Sequence, residues 1–126
     1  MTASPRVAGA GYEAIALAYL LRAGLVLIVQ NFCCRYGEID LVMSDGDTIV
    51  FVEVRYRRGA RGALSFGDGV DSVSAAKRAK LVRAARMFLA TQPRLANRPC
   101  RFDVVGVAGD EAAPVLDWRP NAFDAC

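Results

Sequence analysis

The sequence of 126 residues contains no histidine. This absence excludes Ser-His-Asp and Cys-His nucleophilic sites, HExxH metalloproteases, histidine phosphorelays and every metal centre that is ligated by imidazole. Any catalysis by this chain must therefore use carboxylates, cationic side chains, hydroxyl groups or a hard metal ion that is held by oxygen atoms.

The sequence also lacks paired cysteine motifs and long apolar runs. The four cysteines form no C-x-x-C pair, so a zinc site is disfavoured and reduced thiols are expected; they are Cys33, Cys34, Cys100 and Cys126. No stretch approaches the ~20 apolar residues that a membrane span needs, and the N-terminal region lacks the layout of a signal peptide. We therefore expect a cytoplasmic protein that does not contact a membrane.

The positive charge is concentrated in one half of the chain. Residues 55–101 carry a net charge of +10, whereas the remaining residues sum to −7, and fourteen of the sixteen basic residues are arginine. The guanidinium group binds phosphate in a bidentate manner, so this segment favours a polyanionic partner such as nucleic acid. The alternative is an arginine-rich surface that only contacts water.

The periodicity of apolar residues predicts an α/β fold. Helices are expected over residues 11–23 and 74–89, and strands over residues 25–31, 37–43, 48–56, 102–107 and 114–118. This order, α-β-β-β-α-β-β, favours a mixed central sheet flanked by helices over a Rossmann alternation. No repeat or linker divides the chain, so residues 11–126 are expected to form a single domain after a flexible N-terminus of residues 1–10.

The second and third predicted strands form a hairpin. They are separated by Ser44-Asp45-Gly46-Asp47, whose central Asp-Gly pair is typical of a two-residue turn. That turn places Glu38 opposite Glu53, whereas a four-residue loop places Asp40 opposite Glu53. In either register the three carboxylates share one face of the hairpin.

Strand alternation brings these carboxylates to within ~5–8 Å of one another. Ile39, Leu41 and Met43 are predicted to face the other side of the same strand. Because like charges at this spacing repel, a cation is expected among them, and it is either Arg55 or a divalent metal ion. The alternative is a polar face of the sheet that is open to water.

Each predicted helix places one charged residue in line with its apolar stripe. Glu13 lies at the centre of a stripe formed by Ala16, Leu17, Leu20 and Leu21. Lys77 continues the stripe of the second helix, which contains Leu81, Ala84, Ala85 and Phe88. Both side chains are therefore able to reach the hairpin carboxylates, while Lys80, Arg83 and Arg86 lie on the far flank and fit a phosphate backbone. The alternatives are a Glu13 that escapes to water and a Lys77 that extends along the surface.

Several motifs resemble those of the YraN family of bacterial proteins. They are Gly11-Tyr12-Glu13, Gly37-Glu38-Ile39-Asp40-Leu41, Phe51-Val52-Glu53-Val54-Arg55-Tyr56-Arg57, Arg101-Phe102-Asp103-Val104-Val105 and Asn121-Ala122-Phe123. The resemblance covers residues 9–123. It implies a restriction-endonuclease-like, three-layer fold of the PD-(D/E)xK type, similar to that of archaeal Holliday-junction resolvases.

The resemblance also implies a role for individual residues. Asp40 and Glu53 match the two acidic motif positions, Val54 would offer its carbonyl to the metal, and Glu13 matches the acid of the first helix. Arg55 occupies the position where the wider superfamily has a lysine, so the sequence departs from the superfamily pattern there. Because a guanidinium group does not release its proton near neutral pH, Arg55 would stabilise charge on the phosphate and would not act as a base.

The prediction from sequence is thus an endonuclease dependent on Mg²⁺ or Mn²⁺ that cleaves DNA, with selectivity for branched structures. The expected catalytic residues are Glu13, Asp40, Glu53, Arg55 and Lys77, the metal ligands are Asp40, Glu53 and Val54, and the backbone contacts are Arg57, Arg58, Arg61, Lys80, Arg83 and Arg86. The alternatives are a catalytically silent nucleic-acid-binding module on the same fold and a protein-interaction domain. A homodimer is compatible with each of them.

Overall fold

The computed structural model describes residues 5–57, 73–109 and 112–123, and it describes the side chains within these ranges except those of residues 5–10 and 57. The elements are α1 (Pro5–Arg22), β1 (Val26–Cys34), β2 (Gly37–Asp45), β3 (Thr48–Arg57), α2 (Ala75–Ala90), β4 (Cys100–Ala108) and β5 (Val115–Phe123). The predicted order of elements is confirmed.

The five strands form one mixed sheet in the order β1-β2-β3-β4-β5. β3 and β4 are parallel, and the other neighbouring pairs are antiparallel. The two helices cover opposite faces of this sheet, since each packs in a different apolar cluster. The α/β fold predicted from the sequence is confirmed, and the arrangement of three layers is consistent with a restriction-endonuclease-like fold.

The core consists of two apolar clusters, one on each side of the sheet. On the α1 side, Ala16 and Leu20 pack on alternate residues of the three central strands, including Leu41, Val52 and Val105. On the α2 side, the four predicted residues Leu81, Ala84, Ala85 and Phe88 are all buried against the other face. Every central strand is therefore covered on both faces, as in other three-layer α/β folds.

One residue of the predicted α1 stripe is not part of the core. The side chain of Leu21 is 46% exposed, whereas Ala16 and Leu20 are fully buried. The helix ends one residue later, and Leu25 packs beneath its end in the same cluster. Since α1 contacts the sheet through its Ala16 and Leu20 edge, Leu21 lies on the rim of that contact.

α1 begins at Pro5, six residues before its predicted start. Proline is well tolerated in a first helical turn, and the glycines at positions 9 and 11, which cost about 1 kcal/mol each in a helix, do not interrupt it. The helix ends at Arg22, one residue before its predicted end, and Gly24 follows it with a φ of +105°. The amides of Gly24 and Leu25 donate to the carbonyls of Leu21 and Leu20, which is the Schellman pattern. Residues 1–4 lie outside the described residues, so the flexible N-terminus stays a prediction.

The hairpin between β2 and β3 turns at Gly46 and Asp47, and the predicted Asp45-Gly46 turn is wrong. Asp45 pairs with Thr48, and Gly46 has a φ of +59° at the first turn position. Glycine adopts this φ without strain, whereas the predicted turn would have required it of Asp45 as well. The ladder is therefore shifted by two residues, which leaves every side chain on its predicted face because strand alternation has a period of two.

The predicted alternation is wrong at Ile39. This residue packs in the α2-side cluster, whereas Leu41 packs in the α1-side cluster. In the neighbouring strand Asn31 has a φ of +53°, and the β1–β2 ladder skips Asn31 and Asp40. A positive φ rotates the chain locally and disrupts the pleat. Asp40 consequently lies where its strand changes face.

Two further predictions concern membranes and thiols. In the described part of the chain, no helix is both long and apolar enough to cross a membrane. Cys33, Cys34 and Cys100 are free cysteines, and Cys126 lies outside the described residues.

Candidate metal and nucleic-acid site

Asp40 and Glu53 meet at the end of the β2–β3 ladder. The last pair in this ladder is Leu41 with Val52, and one further step in the same register sets Asp40 opposite Glu53. The backbone N–H of Val54 donates to Oδ2 of Asp40 at 2.8 Å and fixes this carboxylate against β3. Glu53 is only 7% exposed, so both acids are partly or wholly removed from water.

The positive charge beside these acids comes from Lys77. Its Nζ lies 3.1 Å from Oε2 of Glu53. Ser74 caps α2 by accepting a hydrogen bond from the N–H of Lys77 at 3.1 Å, which fixes the first turn of the helix over the hairpin. Arg55, the other cation considered for this role, is partly buried and forms no ion pair with any residue that the structure describes.

The pKa of Asp40 is raised from 3.8 to about 7. Burial is the main cause, followed by the negative charge of Glu53, and the charge of Glu13 adds to both. The hydrogen bond from Val54 and the ammonium group of Lys77 act in the opposite direction. The charges of Glu13, Glu53 and Lys77 thus all act on the carboxyl group of Asp40. The structure brings these four of the five predicted catalytic residues into one electrostatic cluster.

The donors in this cluster fit a hard divalent cation. Asp40 and Glu53 provide carboxylate oxygens, which Mg²⁺ and Mn²⁺ prefer, and the repulsion between them is relieved when a cation binds. Within residues 5–57, 73–109 and 112–123, no three acidic, histidine or cysteine side chains form a ready-made metal cage. Mg²⁺ does not need such a cage, because it retains several water ligands and is commonly bound through one or two carboxylates.

Glu38 does not belong to this cluster, although the sequence places it on the same face as Asp40 and Glu53. Its side chain is exposed, it pairs with Cys33, and it lines an open cavity beside Lys77 and Lys80. The third acid of the cluster is Glu13, which approaches from α1. Glu13 replaces Glu38 in the cluster because β2 changes face at Asp40. The side chains of Glu38 and Asp40 therefore point in different directions.

The predicted backbone-binding residues divide into two groups. Lys80, Arg83 and Arg86 are exposed along the outer flank of α2, as expected. Arg57 is the last residue of β3, and its side chain lies outside the described residues. Arg58 and Arg61 also lie outside them.

Two aromatic contacts lie next to residues of the cluster and were not predicted from the sequence. The rings of Tyr12 and Tyr56 stack with centroids 3.9 Å apart, and Tyr56 is 43% exposed. Tyr36, in the turn between β1 and β2, lies beneath the guanidinium group of Arg35, which is 5.0 Å from the ring centroid. The stack of Tyr12 on Tyr56 depends on how α1 docks on β3, whereas the contact of Arg35 with Tyr36 joins neighbouring residues of one turn.

A second polar cluster surrounds Asp103, which is fully buried. Its carboxylate accepts hydrogen bonds from Arg101, from Nε1 of Trp118 and from the backbone N–H of Asn121, at 2.9 Å in each case for the shortest contact. Arg101 also pairs with Asp45 at 3.0 Å. This cluster explains structurally two of the motifs noted in the sequence, because it ties β4 to β5 and to the β2–β3 turn.

Comparison with known proteins agrees with the family resemblance of the sequence motifs. The profile of the Uncharacterised protein family UPF0102 matches residues 12–107. A UPF0102 protein of Pseudomonas paraeruginosa is 49% identical over 125 residues, which cover 98% of this chain and 97% of that protein. A UPF0102 protein of Xanthomonas oryzae pv. oryzae is 54% identical over 125 residues, which cover 99% of this chain and 98% of that protein. The chain therefore belongs to the UPF0102 family, also known as YraN.

Proposed function

We propose that this protein is a metal-dependent endonuclease that cleaves the phosphodiester backbone of DNA. The observation that carries the proposal is the convergence of Asp40, Glu53 and Lys77, with Lys77 only 3.1 Å from Glu53 and the Asp40 pKa raised by burial and by its acidic neighbours. A buried Glu53, a half-buried Asp40 and an adjacent ammonium group suit a site that binds a cation and a phosphate together.

The residues of the cluster fall into two groups, those that would bind the metal ion and those that would contact the phosphate. Asp40 and Glu53 would hold Mg²⁺ or Mn²⁺, which supplies Lewis acidity for the phosphate and for the attacking water. Val54 orients Asp40 through its N–H, and its carbonyl is the predicted third ligand. Glu13 adds negative charge, which would attract the metal ion; without a cation the same charge raises the pKa of Asp40.

Lys77 and Arg55 would act on the phosphate. Lys77 is 47% exposed while it contacts Glu53, so its ammonium group reaches both the acids and the solvent side where a phosphate enters. Arg55 keeps its charge at every accessible pH and stabilises the negative charge that develops during cleavage. Lys77 on α2 thereby supplies an ammonium group, which β3 lacks because position 55 is an arginine.

The proposal is tested by incubating branched, nicked and linear DNA with the protein and Mg²⁺ or Mn²⁺. We expect cleavage by the wild type, a loss of at least ~100-fold in Glu53→Gln, and a rate within about twofold of wild type in Asp47→Asn. Asp47 is a suitable control because it is an exposed acid in the turn at the opposite end of the same hairpin. Equal traces of cutting in wild type and Glu53→Gln would show contamination and contradict the proposal.

A catalytically silent nucleic-acid-binding module is the second candidate. It is favoured by the arginine at position 55, where the wider superfamily has a lysine. This candidate predicts salt-dependent binding without a divalent metal and without products. If Arg55→Lys cleaves DNA and the wild type does not, the native protein is a binding module with a disabled site.

A further inference from the structure

Two cavities lie between α2 and the β1–β2 turn, and Tyr36 lines both of them. The first, of about 420 Å³, extends from Tyr36 to Lys77 and Lys80. The second, of about 340 Å³, lies between Tyr36 and the side chains of Arg83 and Arg86. Tyr36 thus borders both cavities, and we call the two cavities together the α2 groove.

The α2 groove is strongly cationic. Lys77, Lys80, Arg83 and Arg86 recur at every third position of α2 and are all exposed. They extend over about 13 Å along the helix, because each residue adds ~1.5 Å. Arg35 adds a fifth cation from the β1–β2 turn, and Glu38 is the one acid among the residues that line the two cavities. This charge distribution suits a phosphate backbone that follows the helix.

Tyr36 is held in place within this row of cations. Its hydroxyl oxygen accepts a hydrogen bond from Nη2 of Arg35 at 3.0 Å, and the guanidinium group lies 5.0 Å from its ring centroid. The ring is only partly buried and borders both cavities. A fixed aromatic ring among cations is the combination that binds single-stranded nucleic acid, since unpaired bases stack on the ring while phosphates contact the cations. In a duplex the faces of the bases are already covered by their neighbours.

We infer that the α2 groove binds a single-stranded segment of DNA, with one unpaired base stacked on Tyr36. Lys77 lines the first cavity and also contacts Glu53, so the groove ends at the acidic cluster. The inference that this segment is delivered for cleavage rests on the proposed function. It assigns the substrate as DNA with an unpaired arm next to the scissile bond.

The binding step is tested without metal. Fluorescence anisotropy in EDTA compares a labelled single-stranded oligonucleotide with a duplex of the same sequence. We expect Tyr36→Ala to weaken single-strand binding by about tenfold, in line with the loss of one stacked base. Tyr36→Phe keeps the ring and should bind within about twofold of wild type, and duplex binding should change by less than about twofold in both variants.

A second measurement guards against misfolding of Tyr36→Ala. An oligonucleotide with one 2-aminopurine base should lose fluorescence on binding to the wild type, because stacking quenches this base, and should keep it on binding to Tyr36→Leu. For the cations, Arg83→Ala should weaken single-strand binding, whereas Arg22→Ala, which removes an exposed arginine from the layer on the opposite face of the sheet, should not.

The outcomes separate this inference from the nuclease proposal. Unchanged single-strand binding in Tyr36→Ala, or an equal loss for single strand and duplex, overturns the groove assignment even if the protein cleaves DNA. Selective loss of single-strand binding supports the groove even if no substrate is cleaved. Failure of the wild type to bind the oligonucleotide at low salt also overturns the inference.

Discussion

The ionised form of Asp40 is disfavoured in the folded protein. Burial and the charges of Glu53 and Glu13 raise its pKa from 3.8 to about 7. Because the unfolded chain exposes the same group to water, it releases the proton at a lower pH than the folded protein does. Ionisation of Asp40 therefore lowers the free energy of unfolding as the pH rises from about 4 to about 7, and the loss remains complete above pH 7.

Asp40→Asn removes this cost and keeps the shape of the side chain. In metal-free buffer we expect the variant to be more stable than the wild type above pH 7, by at most about 4 kcal/mol, since one pKa unit corresponds to ~1.4 kcal/mol. The difference should shrink as the pH falls and vanish near pH ~4. Urea unfolding across this pH range measures it, with Asp47→Asn as the control. A variant that is less stable than wild type at pH ~8 would contradict the pKa assignment.

Asp103 provides the opposite case, a buried carboxylate with several hydrogen-bond donors. Asp103→Ala leaves Trp118, Arg101 and the N–H of Asn121 without their acceptor, and we expect a loss of about 3–5 kcal/mol in the free energy of unfolding. Asp117→Ala is a matched control, because Asp117 also pairs with an arginine two residues away but is partly exposed. It should cost less than about 1 kcal/mol. Equal losses in both variants, measured by urea unfolding, would show that the Asp103 cluster has no special role.

At the scale of elements, α2 combines two roles on its two sides. Leu81, Ala84, Ala85 and Phe88 pack on the sheet, while the cations of the α2 groove face water. The N-cap at Ser74 fixes the turn that carries Lys77. The helix therefore connects the stability of one apolar cluster to the position of the ammonium group beside Glu53.

Ser74→Ala should destabilise the protein by about 1 kcal/mol, since the N–H of Lys77 loses its acceptor. Ser74→Asp restores an acceptor and places a negative charge at the helix N-terminus, so its free energy of unfolding should equal or exceed that of the wild type. Both values come from urea unfolding at neutral pH. If Ser74→Asp is as destabilised as Ser74→Ala, the cap is not what holds this turn.

The elements themselves were largely predictable from the sequence, for reasons that are visible in the hairpin. Period-two alternation placed Asp40 and Glu53 on the same face before the register was known, and a register error of two residues does not change faces. The turn was mispredicted because its identity depends on which residue adopts the positive φ at Gly46. The change of face at Asp40 was missed because it depends on Asn31 in the neighbouring strand.

At the scale of the whole molecule, the two layers of helices place charge asymmetrically. The row of cations on α2 lies on one face of the sheet, and α1 covers the other. The sequence indicated the acids and the cations separately, but the contact between Lys77 and Glu53 depends on how α2 docks, and no local pattern specifies that docking. The same holds for the stack of Tyr12 on Tyr56, which joins α1 to β3.

This asymmetry predicts the salt dependence of DNA binding. In a variant with Lys80, Arg83 and Arg86 changed to alanine, we expect the magnitude of the slope of log K against log salt concentration to fall by about two to three, because each lost phosphate contact removes ~0.7–0.9. A charge-matched control changes the exposed residues Arg22, Arg94 and Arg98 to alanine and should keep the wild-type slope. If both triple variants lose the same slope, binding depends on net charge and not on the outer flank of α2.

Both rims of the sheet contain an interruption. β1 has an extra residue at Ile28 and a positive φ at Asn31, and β5 has a positive φ at Asn121, directly after Pro120, which has no N–H to donate. An uninterrupted rim offers a row of unpaired amides and carbonyls that can template another strand. Here neither rim offers a continuous row, so two copies of the chain that collide in a crowded solution gain little from joining their sheets, and fibril-like growth along the rims is disfavoured.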